Sequence, residues 1–257
     1  LVELIDIASS YPLIVKYVEG VNDQLMVVFS GVGHSRRKPP KIEFFGAATT
    51  NNCNHVLFIS DESRSWLNSP GIDAEIIGLI KLLMEEHSIN NLVLLGNSMG
   101  ATMALLLSPQ LPTNTTIALT PQYSVHPDVV PAEARWSNFR KNITEYKYKS
   151  VELLPNTQQQ TYIVHGSSRG ELVHALRFPE VQGYRHFILR GYGHALAARL
   201  KQQDSLTPLI ASAMAGRPRR FKNIVQQNGG MWRSRYVENW LNRKIPTAPA
   251  PPSPPNE

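Results

Sequence analysis

Residues 91–109, NLVLLGNSMGATMALLLSP, constrain this chain more than any other stretch. Leu92 to Leu95 form an apolar run of strand length, and residues 101–107 read as a buried helix. Between them stands Gly96-Asn97-Ser98-Met99-Gly100, a G-x-S-x-G turn. A chain that passes from strand to helix in so short a space must strain the backbone of its central residue. Side chains at the two flanks would meet the neighbouring strand or helix, so glycine is required there. The turn then holds the Ser98 hydroxyl at the tip of a sheet, beside the free N–H groups of a helix N-terminus. The motif by itself is common; its seat between a strand and a helix is what makes it informative.

The rest of the chain alternates strand and helix around it. Residues 13–18 and 25–29 read as strands joined by a turn at 19–23, and so as a hairpin. Further strands are predicted at 55–60, ending at Asp61, and at 116–120, 161–165 and 184–189, the last closing the series. Residues 73–87 predict an amphipathic helix with a broad apolar side of Ile76, Ile77, Leu79, Ile80, Leu82, Leu83 and Met84. Helices also start at Glu171 and Ala195. Such alternation predicts an α/β fold, a mostly parallel sheet flanked by helices on both faces. Residues 122–158 break the rhythm, with Tyr123, Trp136, Tyr146 and Tyr148 set among prolines and charges. They read either as a small cap over the site or as an ordinary long connection. Residues 36–40 read as irregular and exposed.

At 257 residues the chain can bury a full core. It contains no apolar run of membrane-spanning length. Cys53 is its only cysteine, which excludes an internal disulfide and fits a reducing, cytoplasmic setting. Eight of the 26 basic residues but only two of the 20 acidic ones lie beyond residue 214, which accounts for the whole net charge of +6. The organisation read from this is a catalytic body at 1–214, a basic extension at 215–246 and a proline-rich, disordered tail at 247–257. The extension could contact nucleic acid or a membrane surface; a solvated helix is the simpler reading. Because the chain starts at Leu1, a longer precursor stays open.

A serine hydroxyl needs a base within hydrogen-bond reach and an acid to orient that base. In the α/β-hydrolases, which this strand–turn–helix resembles, the order along the chain is serine, carboxylate, histidine. Of the eight histidines, His194 is best placed, in the Gly191-Tyr192-Gly193-His194 loop after the strand at 184–189. The acid belongs after the preceding strand, where Glu171 is the carboxylate at hand. Asp61 is the reserve and Asp204 a weaker choice. His174, one turn beyond Glu171, competes for it. The glycine-rich loop Ser30-Gly31-Val32-Gly33 and the residue after the serine are the candidate oxyanion donors: Gly31, Val32 and Met99.

These residues resemble the α/β-hydrolase superfamily over roughly residues 12–205. The chain also resembles bacterial hydrolase-like proteins linked to surface polysaccharide and glycan modification. That resemblance is carried by Val28-Phe29-Ser30-Gly31, Phe58-Ile59-Ser60-Asp61 with Arg64-Ser65-Trp66, the G-x-S-x-G turn, and Thr120-Pro121-Gln122-Tyr123-Ser124. Glu171-Leu172-Val173-His174-Ala175 is similar to a D-x-x-H-A segment there, with Glu in place of Asp. The resemblance implies a serine hydrolase acting on acyl esters, carbohydrate esters among them. No metal or organic cofactor is called for, since no H-E-x-x-H, P-loop or dinucleotide fingerprint occurs. An O-acyltransferase with the same acyl-enzyme, or a non-catalytic domain that binds a glycan or a protein, are the alternatives.

Overall fold

The computed structural model describes residues 2–244 apart from 34, 36 and 50–52; the proline-rich tail predicted at 247–257 and Arg36 lie outside the described residues. The strands are β1 (Ile5–Ile7), β2 (Leu13–Val18), β3 (Gln24–Phe29), β4 (His55–Asp61), β5 (Asn91–Asn97), β6 (Thr113–Leu119), β7 (Gln160–Gly166), β8 (Tyr184–Leu189) and β9 (Gly230–Trp232). The helices are α1 (Phe45–Ala48), α2 (Ile72–Glu86), α3 (Met99–Leu107), α4 (Ser137–Arg140), α5 (Arg169–Ala175), α6 (Leu196–Gln202), α7 (Leu206–Met214), α8 (Pro218–Gln227) and α9 (Arg233–Lys244). Among the described residues one nine-stranded sheet has the order β1-β2-β4-β3-β5-β6-β7-β8-β9. β4, β3, β5, β6, β7 and β8 run parallel, and β1, β2 and β9 are antiparallel additions at the edges. A mostly parallel sheet flanked by helices is the architecture the sequence predicts.

Strand residues alternate between two cores. Val93 and Leu95 join Met26, Val28 and Phe58 under α6, α7 and α8. Leu92 and Leu94 join Leu25, Val27 and Leu57 under α2 and α3. Burial on both faces explains why these strands read as continuous apolar runs. The predicted apolar side of α2 packs on this second core: Ile76, Ile80 and Leu83 are buried, Ile77, Leu79 and Met84 lie partly buried against it, and Leu82 is exposed.

Two strand expectations are corrected, and one further strand is found. β2 and β3 do not form a hairpin, because the fully buried β4 lies between them and pairs with both. The connecting loop instead crosses the entry to β4, where Val21 and Asn22 N–H donate to the Cys53 carbonyl at 2.9 and 3.0 Å. β8 is not the last strand: β9 pairs antiparallel with it, Leu189 opposite Gly230. β1 is a third addition, too short to show a period. Beyond residue 214, Phe221, Ile224 and Val225 of α8 enter the same core as α7. The bases there are divided: Arg219 and Arg220 are exposed, whereas Arg233 Nε donates to the Ala175 carbonyl at 2.7 Å and ties α9 to the end of α5.

α3 lies directly on the sheet. A Cβ built on Gly100 would stand 2.1 Å from the Phe29 carbonyl oxygen, and one on Gly96 would stand 2.2 Å from the Gly100 carbonyl carbon. Both obstacles are backbone, so neither can swing aside. Gly100→Ala is therefore expected to cost about 1–3 kcal/mol or more. Thermal unfolding checks this, and an unchanged midpoint would refute the close approach.

Candidate active site

Four consecutive parallel strands deliver four polar side chains to their carboxyl ends. Ser98 follows β5, Gln122 follows β6, Glu171 follows β7 and His194 follows β8. This is where an open parallel sheet gathers ligands and chemistry. Ser98 has φ 57° and ψ −124°, a conformation that costs about 1–3 kcal/mol for a residue with a side chain. Its N–H is fixed by the Leu119 carbonyl at 2.9 Å and its carbonyl accepts the Thr102 N–H at 3.1 Å. The strain is thus held by both neighbouring elements.

His194 Nε2 lies 2.9 Å from Ser98 Oγ, and His194 Nδ1 lies 2.9 Å from Glu171 Oε1. Ser98 and Glu171 are buried, while the imidazole between them is partly open. Burial opposes ionisation of Glu171, but the hydrogen bond from His194, the field of His165 and a hydrogen bond from Arg135 outweigh it and bring its pKa down to about 2. At neutral pH the group facing His194 is a carboxylate.

The competing pairings resolve differently. His174 does not reach Glu171; its Nε2 lies 2.8 Å from Glu133 Oε2. Its Nδ1 accepts the Tyr123 N–H at 3.2 Å, so Nε2 carries the proton and donates. Burial, the largest influence, depresses the His174 pKa. Asp61 is fully buried and spent on its own turn: Oδ1 accepts the Ser63 N–H at 2.8 Å and Oδ2 the Ser65 N–H at 2.7 Å. Asp204 follows α6 in a left-handed turn, outside this cluster.

Several residues of the site carry no signal in the sequence. Arg135, from the 122–158 excursion, donates through Nη1 to Glu171 Oε1 at 2.8 Å and through Nε to Glu133 Oε2 at 2.9 Å. The guanidinium so bridges two buried carboxylates. Gln122 Nε2 donates to Ser98 Oγ at 3.1 Å, and Gln122 Oε1 accepts Trp66 Nε1 at 2.9 Å. Gln122 stands in a segment that resembles known hydrolase-like proteins, but nothing local marks its chemistry. The Trp136 ring lies 5.4 Å from the His194 ring and 6.4 Å from Trp66. The excursion also packs Phe139, Ile143, Tyr146 and Tyr148 on the α2–α3 core.

Gly31 faces the serine: a Cβ there would be 3.6 Å from Ser98 Cβ. Val32 lies beyond the end of β3, and Met99 is the first residue of α3, so its N–H has no partner within the helix. Arg64, buried, braces the loop by donating to the carbonyls of Val32, Ser35 and Lys38 at 3.0, 3.1 and 2.6 Å. Behind the loop, a Cβ on Gly31 would also be 3.3 Å from Glu43 Oε1, and Glu43 Oε2 is buried without a hydrogen-bond partner. Burial raises the Glu43 pKa to about 7, and the Gly31 N–H and the Asn97 side chain only partly offset it. Among the described residues no three His, Cys, Asp or Glu side chains group as metal ligands would. No helix there is long and apolar enough to cross a membrane.

Glu43 has a consequence for stability. Between its ordinary value of 4.5 and about 7 the folded chain binds more protons at this site than the unfolded chain. Stability from this group is complete below 4.5 and lost as pH rises through about 7. Glu43→Gln, which cannot ionise, is expected to unfold at a higher temperature than the parent at pH 8 and to lose that advantage at pH 5. Parallel melting curves at both values would contradict the assignment.

No family model matches the sequence, and no curated protein matches it. Solved structures do resemble the fold. An esterase from Pyrococcus furiosus superposes with a TM-score of 0.53 at 11% identity, covering 83% of this chain and 93% of its own. A capsule O-acetyltransferase of Neisseria meningitidis serogroup A, in complex with CoA, gives 0.52 at 13% identity, covering 79% and 94%. An α/β serine hydrolase without a lid from Xanthomonas campestris gives 0.51 at 14% identity, covering 84% and 94%.

Proposed function

For this chain, which has the α/β-hydrolase fold, we propose a serine hydrolase that cleaves short acyl esters. The observation that carries the reading is the unbroken contact from Ser98 Oγ through His194 to Glu171, at 2.9 Å on each side of the imidazole. In it Ser98 Oγ attacks the acyl carbonyl carbon while its proton passes to His194 Nε2. The carbonyl electron pair moves onto oxygen, where the N–H groups of Val32 and Met99 receive it; Gly31 N–H, turned to Glu43, supports the loop. Collapse expels the alcohol, which takes the proton from His194. Water then enters, gives a proton to His194, and releases the acid and free Ser98. Glu171 keeps the imidazole in the tautomer with Nδ1 protonated and stabilises its cation.

Ser98 is only 3% exposed, with Gln122 and His194 on its oxygen, which favours a small acyl group. The excursion at 122–158 acts as a cap in this reading, since Trp136 lies beside His194. A carbohydrate as the alcohol portion rests on the resemblance to glycan-modifying proteins and on this indole, whose flat face suits a sugar ring. The likeness to an O-acetyltransferase supports a second reading, in which an acceptor hydroxyl replaces water on the same acyl-enzyme. Product analysis with and without an alcohol acceptor separates the two.

A fluorophosphonate probe is expected to label Ser98, with labelling abolished in Ser98→Ala and lost in His194→Ala. Glu171→Gln is expected to slow labelling by about 10²-fold or more, because the histidine cation loses the carboxylate that stabilises it. An unlabelled parent protein, beside a control hydrolase that labels, would refute the proposal. Among p-nitrophenyl esters, acetate is expected to outrun octanoate in kcat/KM; the reverse order would remove the small-acyl assignment.

A further inference from the structure

The hydrogen bonds around Ser98 have a direction that can be deduced from donor chemistry alone. An indole N–H only donates. Trp66 Nε1, 2.9 Å from the Gln122 amide, therefore requires the amide oxygen on its side. The amide nitrogen must then face Ser98 Oγ, at 3.1 Å, where it in turn can only donate. With one lone pair of Oγ accepting from Gln122, the Ser98 proton points to the remaining partner, His194 Nε2 at 2.9 Å. His194 Nδ1–H completes the series at Glu171 Oε1, which Arg135 holds from the far side at 2.8 Å.

This arrangement is built rather than incidental. Gln122 is 1% exposed and Trp66 2% exposed. The Gln122 backbone is clamped by one hydroxyl: Thr102 Oγ1 accepts the Gln122 N–H at 2.9 Å and donates to the Gln122 carbonyl at 3.0 Å. Thr102 belongs to α3, the helix that carries the serine turn, so nucleophile and amide are fixed to one body. On the other side, Trp66 and Leu67 hold left-handed φ values of 51° and 66°. Backbone strain in consecutive residues persists only where the surroundings enforce it.

We propose that Gln122 is a further catalytic residue, donating to Ser98 Oγ throughout the reaction, and that Trp66 is a positioning residue that orients its amide. The inference rests on the serine-hydrolase reading. As Oγ gives up its proton it gains negative charge, and a donor already in place binds it more strongly than in the resting state. The second Oγ lone pair stays free to form the bond to the acyl carbon. In deacylation Oγ is the leaving atom; it recovers the C–O electron pair and takes its proton from His194, while Gln122 steadies the charge. No proton leaves Gln122 in either step. Without the indole, the amide is free to turn and offer Oε1 to the serine, which diverts the Ser98 proton from His194.

The test is the second-order rate of Ser98 labelling by the fluorophosphonate, and the rate of p-nitrophenyl acetate turnover, across pH. Gln122→Leu removes the donor. Gln122→Glu keeps an acceptor for the indole and, when ionised, also removes the donor. Both are expected to fall about 10- to 100-fold at pH 8. Trp66→Phe is expected to fall by a similar factor. The Trp66→Phe/Gln122→Leu pair is expected to be no slower than Gln122→Leu alone, because both substitutions cut one contact. In Gln122→Leu the pH profile of labelling is expected to keep the parent's shape while its height falls, since a neutral donor has been lost. Melting curves on each variant separate misfolding from a slower site. Labelling of Gln122→Leu or Gln122→Glu at the parent rate, or losses that multiply in the double variant, would overturn the proposal. A parent protein that does not label refutes the hydrolase reading itself, and Ser98→Ala marks the zero of the assay.

Discussion

The structure depends on the strained turn between β5 and α3. Ser98 sits at φ 57° and ψ −124° because the helix must start immediately after the strand and lie against the strands beside it. That approach leaves no room for a Cβ at Gly96 or Gly100. The about 1–3 kcal/mol held in the serine backbone is a small part of what the buried strand and helix contribute, so the turn is held as a rigid body. Everything polar in the site is then set by where neighbouring parallel strands end relative to this point. β6, β7 and β8 lie next to one another on one side of β5 and bring Gln122, Glu171 and His194 in register with it.

The second constraint is charge. Glu171 and Glu133 are both buried, and two buried carboxylates require compensation. Arg135 supplies it to both, and a neutral His174 donates to Glu133. The excursion that carries Glu133 and Arg135 is therefore bound to Glu171 electrically as well as by packing. Arg64, on the opposite side, is a buried cation solvated by backbone carbonyls, those of Val32, Ser35 and Lys38 in the loop it braces and that of Glu62.

Polarity links these parts. Donor-only groups stand at both ends of the series, the Trp66 indole at one and the Arg135 guanidinium at the other. Between them each acceptor and donor has one consistent assignment, which directs the serine proton to His194. In the proposed hydrolase, groups fixed in this way would need no rearrangement at the moment of reaction, which is the property that makes fixed dipoles effective.

Much of this was legible in the chain itself. The apolar run, the paired glycines and the serine determine a strand–turn–helix by local sterics alone, and two-sided burial shows in the composition of the parallel strands. The order of Ser98, Glu171 and His194 follows from the same alternation. Other features were decided only by tertiary structure. The insertion of β4 between β2 and β3 depends on pairing between strands far apart in sequence, and local turn signals are silent about it. The choice of Glu133 by His174 needed residues 41 positions apart to meet. Gln122, Trp66, Arg135 and Glu43 are ordinary residues in the sequence, and each gains its chemistry from one neighbour delivered by another element. Local sterics and periodicity act over a few residues and can be read directly; hydrogen-bond partners and the loss of water act through space and exist only once the sheet is assembled.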